Sequence, residues 1–529
     1  MRRTLALLGG VTLLGATACG LAPRASGAPT MATGDTRNIT AAPVAPAVCT
    51  TLTAQAASPQ AETAGTQLDT GRIQDALSQC GVGHAVQLSG GAFLSGPLSL
   101  PSGVSLIIGD GTTLYASRQA AVYDNARKAG AAHCGQYDNA GGSCRPFIEL
   151  ARLGDGGGVY GPGTIDGQGG EPIIYPTDWA PPPTCSAAAM PAGFPSSAMS
   201  WWDLANCVDV INKQKLSDTT VKQNNPVLVQ ALAAHDLVFS GVTLQNSPKS
   251  HLKLTGSSNV TVWGIKINSP SDFDSYGMPR AHNTDGVDWT NGNNITVDYS
   301  YINDGDDYVA MNAKANSPNG PTQNITIAHD HFYGGHGISI GSLISGGVRN
   351  VLVDDVVIDG GPNMAAMFGM RIKANGKDGG SVEDITFRHV CVRNAMDAIL
   401  LDTTYAHNTG SNDISYKNIY FDDVSIFNDV PKSGAIVIDG SGATTPLQVA
   451  MQDVVIDNPQ QANASASHNA TISLIGKQSF VPKGQGVQVA QGGWQLDEQA
   501  KPGPACQGEL AQPPPFAISR QAGPKAAAD

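Results

Sequence analysis

From residue 236 onward the chain is written in short alternations of apolar and polar positions, not in helical periods. An Asn or Asp opens each unit and apolar or β-branched residues follow: Asp236-Leu-Val-Phe, Asn259-Val-Thr-Val, Asn294-Ile-Thr-Val, Asn324-Ile-Thr-Ile, Asn350-Val-Leu-Val, Asp384-Ile-Thr-Phe and Asp413-Ile-Ser-Tyr. A second short strand comes after each, such as Val242-Thr-Leu, Ile265-Lys-Ile or Val356-Val-Ile. The starts lie 23, 35, 30, 26, 34 and 29 residues apart. Irregular all-β repeats of this length, divided by Gly/Asn/Asp turns, are the mark of a solenoid. No long helices intervene to make crossovers, so parallel pairing must come from coiling of the chain on itself. The pattern predicts an all-β, single-stranded right-handed parallel β-helix. A propeller blade would need about 40–45 residues, which these spacings undershoot. The Asn-x-Thr triplets at 259, 294 and 324 match the glycosylation acceptor, but their place at strand starts points to turn and ladder roles.

The N-terminal part reads differently. Arg2 and Arg3 precede an apolar run from Leu5 to Leu14 and the small residues Ala16-Thr17-Ala18, a signal peptide over 1–18 with an alternative cleavage near Ala28. Cys19 also permits a lipoprotein anchor, which Ala16 disfavours where a lipobox has Leu. Residues 19–48, rich in Ala, Pro, Thr and Ser, read as a flexible leader. From Ala61 to Ser78, Leu68, Ile73, Ala76 and Leu77 at helical spacing suggest a short N-terminal capping helix. The β-helix domain is expected over 49–500 and a C-terminal tail over 501–529.

Of nine cysteines, eight remain if Cys19 leaves, and an even number in an exported chain favours disulfides over metal ligation. Nearness suggests Cys49 with Cys80, Cys134 with Cys144 and Cys185 with Cys207, leaving Cys391 for Cys506; the sequence alone leaves connectivity open. The net charge of −13 argues against nucleic acid or an anionic membrane as partner. An acidic substrate would need the few cations gathered in one cleft.

The candidate chemistry lies in one ordered series: His282-Asn283-Thr284-Asp285-Gly286, Gly305-Asp306-Asp307, Gly335-His336-Gly337-Ile-Ser-Ile-Gly341-Ser342 and Arg371-Ile372-Lys373. Asp307 follows Asp285 by 22 residues, about one short coil. Neighbouring strands lie about 4.8 Å apart, so the carboxylates can stack on one face, with His336, Arg371 and Lys373 on later coils. Like charges held that close push pKa values apart, which suits an acid and a base for splitting a glycoside. Alternation puts Arg371 and Lys373 on the same side of their strand. Each motif alone is ordinarily a turn or a solvated strand edge; the four in order explain one another.

These four motifs, on a β-helix pattern, resemble glycoside hydrolase family 28, the polygalacturonases. The resemblance runs from about Cys49 past Phe421 and includes Phe93-Leu-Ser-Gly-Pro-Leu-Ser-Leu-Pro-Ser-Gly-Val-Ser, Gly161-Pro-Gly-Thr-Ile-Asp-Gly-Gln-Gly-Gly and Ser200-Trp-Trp-Asp. Those stretches look closest to the bacterial endo-acting members. It implies hydrolysis of the α-1,4-galacturonan of de-esterified pectin with inversion. No calcium or zinc motif is evident, so no cofactor or metal is expected, and a solenoid of this size is expected to be a monomer. Asp306 matches the general acid, Asp285 and Asp307 the pair that activates water, and His336 the histidine that tunes the acid. Arg371 and Lys373 match the cations on the galacturonate carboxylate, with Tyr405 and Asn283 as further substrate contacts. Exo-action stays open. A pectate lyase would require a calcium-binding carboxylate set, a rhamnogalacturonan hydrolase typically lacks the Gly-His-Gly histidine and the full Arg-Ile-Lys clamp, and a non-enzymatic β-helix would not need this acid cluster.

Other residues read as structural. His235, His329, His331 and His389 sit in or beside strands. Trp201 and Trp202 fall in a region read as irregular, where core or loop packing is expected. Glu171 to Met199 reads as an inserted loop.

Overall fold

A computed structural model of the chain describes residues 29–497, apart from 56–58, 126–130, 180–197, 274–277, 364–365, 408–409, 441, 443–445, 459–465 and 491–492. The expected signal peptide, Cys185 and Cys506 lie outside the described residues. The chain forms a parallel β-helix: a 22-stranded sheet wraps the outer walls, and an 11-stranded sheet forms the remaining face. Along that face the strands follow in chain order, among them Leu252–Thr255, Val287–Thr290, Val309–Asn312, Ile338–Ile340, Phe368–Lys373 and Asp397–Asp402, each parallel to the next.

Strand alternation divides this face. Leu252, Val287, Val309, Ile338, Met370, Ile399 and Ile436 stack inward and are fully buried. Their neighbours Lys253, Asp288, Ala310, Ser339, Arg371, Leu400 and Val437 form one registered row on the outside. One apolar column therefore holds the coils in register, while the adjacent row places the polar side chains of Lys253, Asp288, Ser339 and Arg371 on the outside.

At the repeat corners Asp236, Asn259, Asn294, Asn324, Asn350 and Asp384 all have φ of 54–57°, the left-handed region that Asn and Asp enter most readily. Side-chain amides link successive coils: Asn259 Nδ2 donates to Asp236 Oδ1 at 2.9 Å and Asn350 Nδ2 to Asn324 Oδ1 at 2.7 Å. The seventh member is Asn418, not Asp413. Register pairs Glu383 with Lys417 and Ile385 with Ile419, so Asn418 stands beside Asp384 and donates to its Oδ1 at 2.8 Å. Asp413 merely precedes a long strand, Ile414–Phe427, whose early part repeats the same polar–apolar pattern.

Three further expectations change. The capping helix spans Thr70–Gln79 and starts well after Ala61, burying Ile73 and Leu77; Cys80 at its end is disulfide-bonded to Cys49 of the first strand. Cys134 is bonded to Cys144, and Cys207 and Cys391 are also disulfide-bonded. The leader is not flexible throughout. Residues 32–37 run across the outer sheet: Ala32 N donates to Thr386 Oγ1 at 2.9 Å, Asp35 N to Thr326 Oγ1 at 2.9 Å, and Arg37 Nη2 to Val260 O at 2.8 Å. Its Thr and Asp side chains find sheet partners, which a reading from composition does not reveal. Finally, Trp201 and Trp202 open a helix, Trp201–Lys213, with a Ser200/Asp203 capping box. Both indoles are buried as expected, and Trp202 Nε1 donates to Ser247 O at 2.8 Å.

Candidate active site

Asp285 and Asp307 each stand two residues before the registered pair Val287 and Val309, on adjacent coils. Gly286 N donates to Asp307 O at 3.0 Å and His251 N to Asp285 O at 2.8 Å, so the backbone ladder continues through the site. The glycines beside the aspartates are steric requirements: a Cβ on Gly286 would lie 2.3 Å from Tyr308 O, and one on Gly305 2.0 Å from Ala281 O. The loop leading to Asn283 is fixed from outside, where Asn206 Nδ2 of the Trp201–Lys213 helix donates to Pro279 O at 2.8 Å.

The predicted residues come together. Asp306 Oδ1 lies 3.2 Å from His336 Nδ1, and its Oδ2 accepts from Asn283 Nδ2 at 2.9 Å. Asp307 Oδ2 accepts from Lys373 Nζ at 2.7 Å, and its Oδ1 accepts from Ser339 Oγ at 2.6 Å with Arg371 Nη1 at 3.5 Å. Ser250 Oγ donates to Asp285 Oδ2 at 3.2 Å. The Tyr405 ring lies 5.3 Å from both Arg371 Cζ and Lys373 Nζ, and Arg371 also stacks over Phe368 at 3.9 Å.

Two assignments look different in three dimensions. Arg371 and Lys373, expected on the substrate, are both 6% exposed and both directed at Asp307. What they leave open is Arg371 Nε, which is buried without a hydrogen-bond partner. Asn283 has its amide committed on both sides, donating to Asp306 and accepting from Gln223 Nε2 at 2.8 Å. It holds Asp306 in place.

The electrostatics separate the aspartates. Burial and then the charges of Asp306, Asp288 and Asp307 push Asp285 well above the ordinary carboxylate range. Burial would also raise Asp306, but the charge and hydrogen bond of His336, followed by Lys373 and His282, outweigh it and hold Asp306 below that range. His336 is raised in turn: burial works against its charge, and Asp306 and Asp307 overcome this. The shifts therefore draw Asp285 toward its protonated form and favour His336 and Asp306 as an ion pair. These groups titrate as a set and not one by one.

Sequence reasoning missed the residues that support this set. Gln223, Ser250 and Ser339 hold the functional side chains. Beneath them Asp304 is fully buried, accepts from Asp306 N at 3.2 Å, and is pushed well above its ordinary value by burial and then by Asp285. His251, fully buried between Asp285 O and Ser269 Oγ, is pushed by burial to about 4 and is neutral. Gln223, Ser250, His251 and Asp304 lie outside the four motifs, and Ser339 lies within the third without a role assigned to it; its position in register with Arg371 was the available signal. Ligand atoms of Asp306, Asp307 and His336 lie within 4.8 Å of one another, as a metal would require. Both oxygens of Asp307 are already engaged by Ser339 and Lys373, so the protein's own cation balances that carboxylate.

Glycosyl hydrolases family 28 matches the chain over residues 80–474. The polygalacturonase of Ralstonia solanacearum is 35% identical over 471 residues, covering 82% of each chain. The endo-polygalacturonase of Pectobacterium carotovorum subsp. carotovorum is 37% identical over 415 residues, 78% of this chain and 87% of the relative. Among solved structures, the polygalacturonase from Erwinia carotovora ssp. carotovora superposes with a TM-score of 0.66 at 34% identity, covering 83% of this chain and 99% of that one.

Proposed function

The chain belongs to glycosyl hydrolases family 28, and from that membership we propose that it is an endo-polygalacturonase, hydrolysing internal α-1,4 bonds of polygalacturonic acid. The observation that carries the reading is the cluster at this face of the β-helix: Asp285, Asp306 and Asp307, at the entrances to its strands, packed with His336, Arg371 and Lys373. Endo-action follows the endo-polygalacturonases among the relatives. Export is supported by the disulfides, which persist in oxidising compartments.

We assign Asp306 as the acid and Asp285 and Asp307 as the groups that orient water. Its surroundings hold Asp306 low, so the acid must acquire its proton in the complex. A galacturonate carboxylate set against Arg371 and Lys373 neutralises cations that favour ionised Asp306, and adds a negative charge close by; both changes raise Asp306. The proton held by Asp285 is then available to the cluster, and an ionised Asp285 is free to take one from water. Acid and base carboxyls of inverting enzymes usually lie about 6.5–9.5 Å apart, wider than the 4.8 Å limit within which Asp306 and Asp307 fall. Inversion therefore rests on the family, and proton NMR checks it: the β-anomer should form first, and an initial α-anomer would refute it.

Function is tested on polygalacturonic acid with a chelator present. New reducing ends without ultraviolet-absorbing unsaturated products, and a ladder of mixed oligomers, are expected. Rising absorbance abolished by chelation would indicate a lyase, and monomer or dimer as sole early product would indicate exo-action.

A further inference from the structure

The cations of the cleft are unequally occupied. Lys253 is bound to Asp288 at 2.9 Å, while Arg371 and Lys373 are directed at Asp307. Lys249 is half-buried, and among the described residues it has no ion-pair partner. It directly precedes Ser250, whose hydroxyl donates to Asp285, and so lies one coil to the N-terminal side of the acid cluster; Arg371 and Lys373 lie on the C-terminal side.

The turn that carries Lys249 is built rigidly. Ser247 Oγ donates to Ser250 O at 3.1 Å, Trp202 Nε1 to Ser247 O at 2.8 Å, and Asn225 Nδ2 to Pro248 O at 3.1 Å, with the Asn225 and Trp202 side chains themselves buried. Burial lowers the Lys249 ammonium first, and Lys253 adds to it against the pull of Asp285 and Asp288. An ammonium held in a fixed, partly desolvated place without a counter-ion is costly by itself and becomes favourable when an anion arrives.

On the reading that the substrate is a polygalacturonate, every sugar brings a carboxylate, and the chain must be gripped on both sides of the bond that breaks. We propose that Lys249 is a specificity-determining residue that binds the free carboxylate of the galacturonate lying on the opposite side of the scissile bond from Arg371 and Lys373. With it, cleavage depends on unesterified sugars on both sides of the cut. A methyl ester at that position leaves the ammonium without its anion, so partly esterified pectin is discriminated against there.

The test compares wild type, K249M and K249R on polygalacturonic acid and on randomly methyl-esterified pectin, with melting temperatures recorded. For K249M, KM on polygalacturonic acid should rise about tenfold with kcat within about threefold, the signature of lost binding. The preference in kcat/KM for the unesterified polymer should fall about fivefold or more, and K249R should recover most of both. An unchanged KM and preference in folded K249M overturns the proposal, as does K249R performing no better than K249M. A K249M that fails to fold while K249R folds and keeps wild-type KM would make Lys249 a structural residue and overturn it too. Wild type inactive on polygalacturonic acid would refute the proposed function itself, a result separate from any of these.

Discussion

On the outer sheet Asp354 accepts from Arg388 Nε at 2.9 Å and lies 2.8 Å from His389 Nδ1. On the opposite face Asp306 and Asp307 have His336, Arg371 and Lys373. The residue types are the same and the outcomes differ. On the outside, one carboxylate meets an arginine and a histidine; burial would raise Asp354, but their hydrogen bonds outweigh it and hold it low. In the cleft the cations are paired with other carboxylates. Lys253 is spent on Asp288, so Asp285 is left among negative neighbours and is driven upward. An ion-pair cluster becomes a proton-handling site when it is half-buried and its cations are committed to some of its acids and not to all of them.

The largest effect that would sharpen this contrast is at Asp285. D285N should lower kcat about a thousandfold, as loss of a positioned acid–base group does. It should also raise the melting temperature at neutral pH. A carboxyl whose folded pKa is raised favours folding while protonated and loses that contribution as pH rises through its folded value, and an amide does not ionise. The gain should vanish at pH 3. A melting temperature at pH 7 below wild type would break the account of where the proton rests.

Next comes the His336–Asp306 pair. His336 is raised, so its contribution is present below its unfolded value and lost as pH rises through the folded one; Asp306 is lowered, so its contribution is present above its unfolded value and lost as pH falls. H336Q should therefore destabilise most near pH 5–6, by about 1–2 kcal/mol, and least at pH 9, as read from urea melts across pH. A pH-independent difference would mean simple packing. The smallest effect is on the outer sheet: R388A should cost about 0.5–1 kcal/mol and leave kcat unchanged. A fall in kcat would show that the two faces are coupled.

Much of this was legible in the chain because solenoid coils turn sequence spacing into neighbourhood. The distance from Asp285 to Asp307 equals the register offset from Val287 to Val309, so stacking of the two carboxylates could be read directly. What was not legible depends on contacts that spacing does not encode. The motif Arg371-Ile372-Lys373 gives two cations on one side of a strand but not that Asp307 takes both. Lys249 sits in an unremarkable turn and stands out only once the other cations are seen to be engaged. The Asp413 error came from a long strand that repeats the local pattern before the true corner at Asn418. Ser200-x-x-Asp203 did carry the capping-box signal for the missed helix, whereas the strap at residues 32–37 is held by partners more than 200 residues away.

The central claim is that the outward cluster on the 11-stranded face performs the hydrolysis with Asp306 as its acid. The most direct test is the turnover of D306N on polygalacturonic acid, with D354N as the matched control from the other face. The account predicts a loss in kcat of about a thousandfold or more for D306N, with a wild-type far-ultraviolet spectrum and KM, and wild-type turnover for D354N. A folded D306N retaining more than a tenth of wild-type turnover would contradict it.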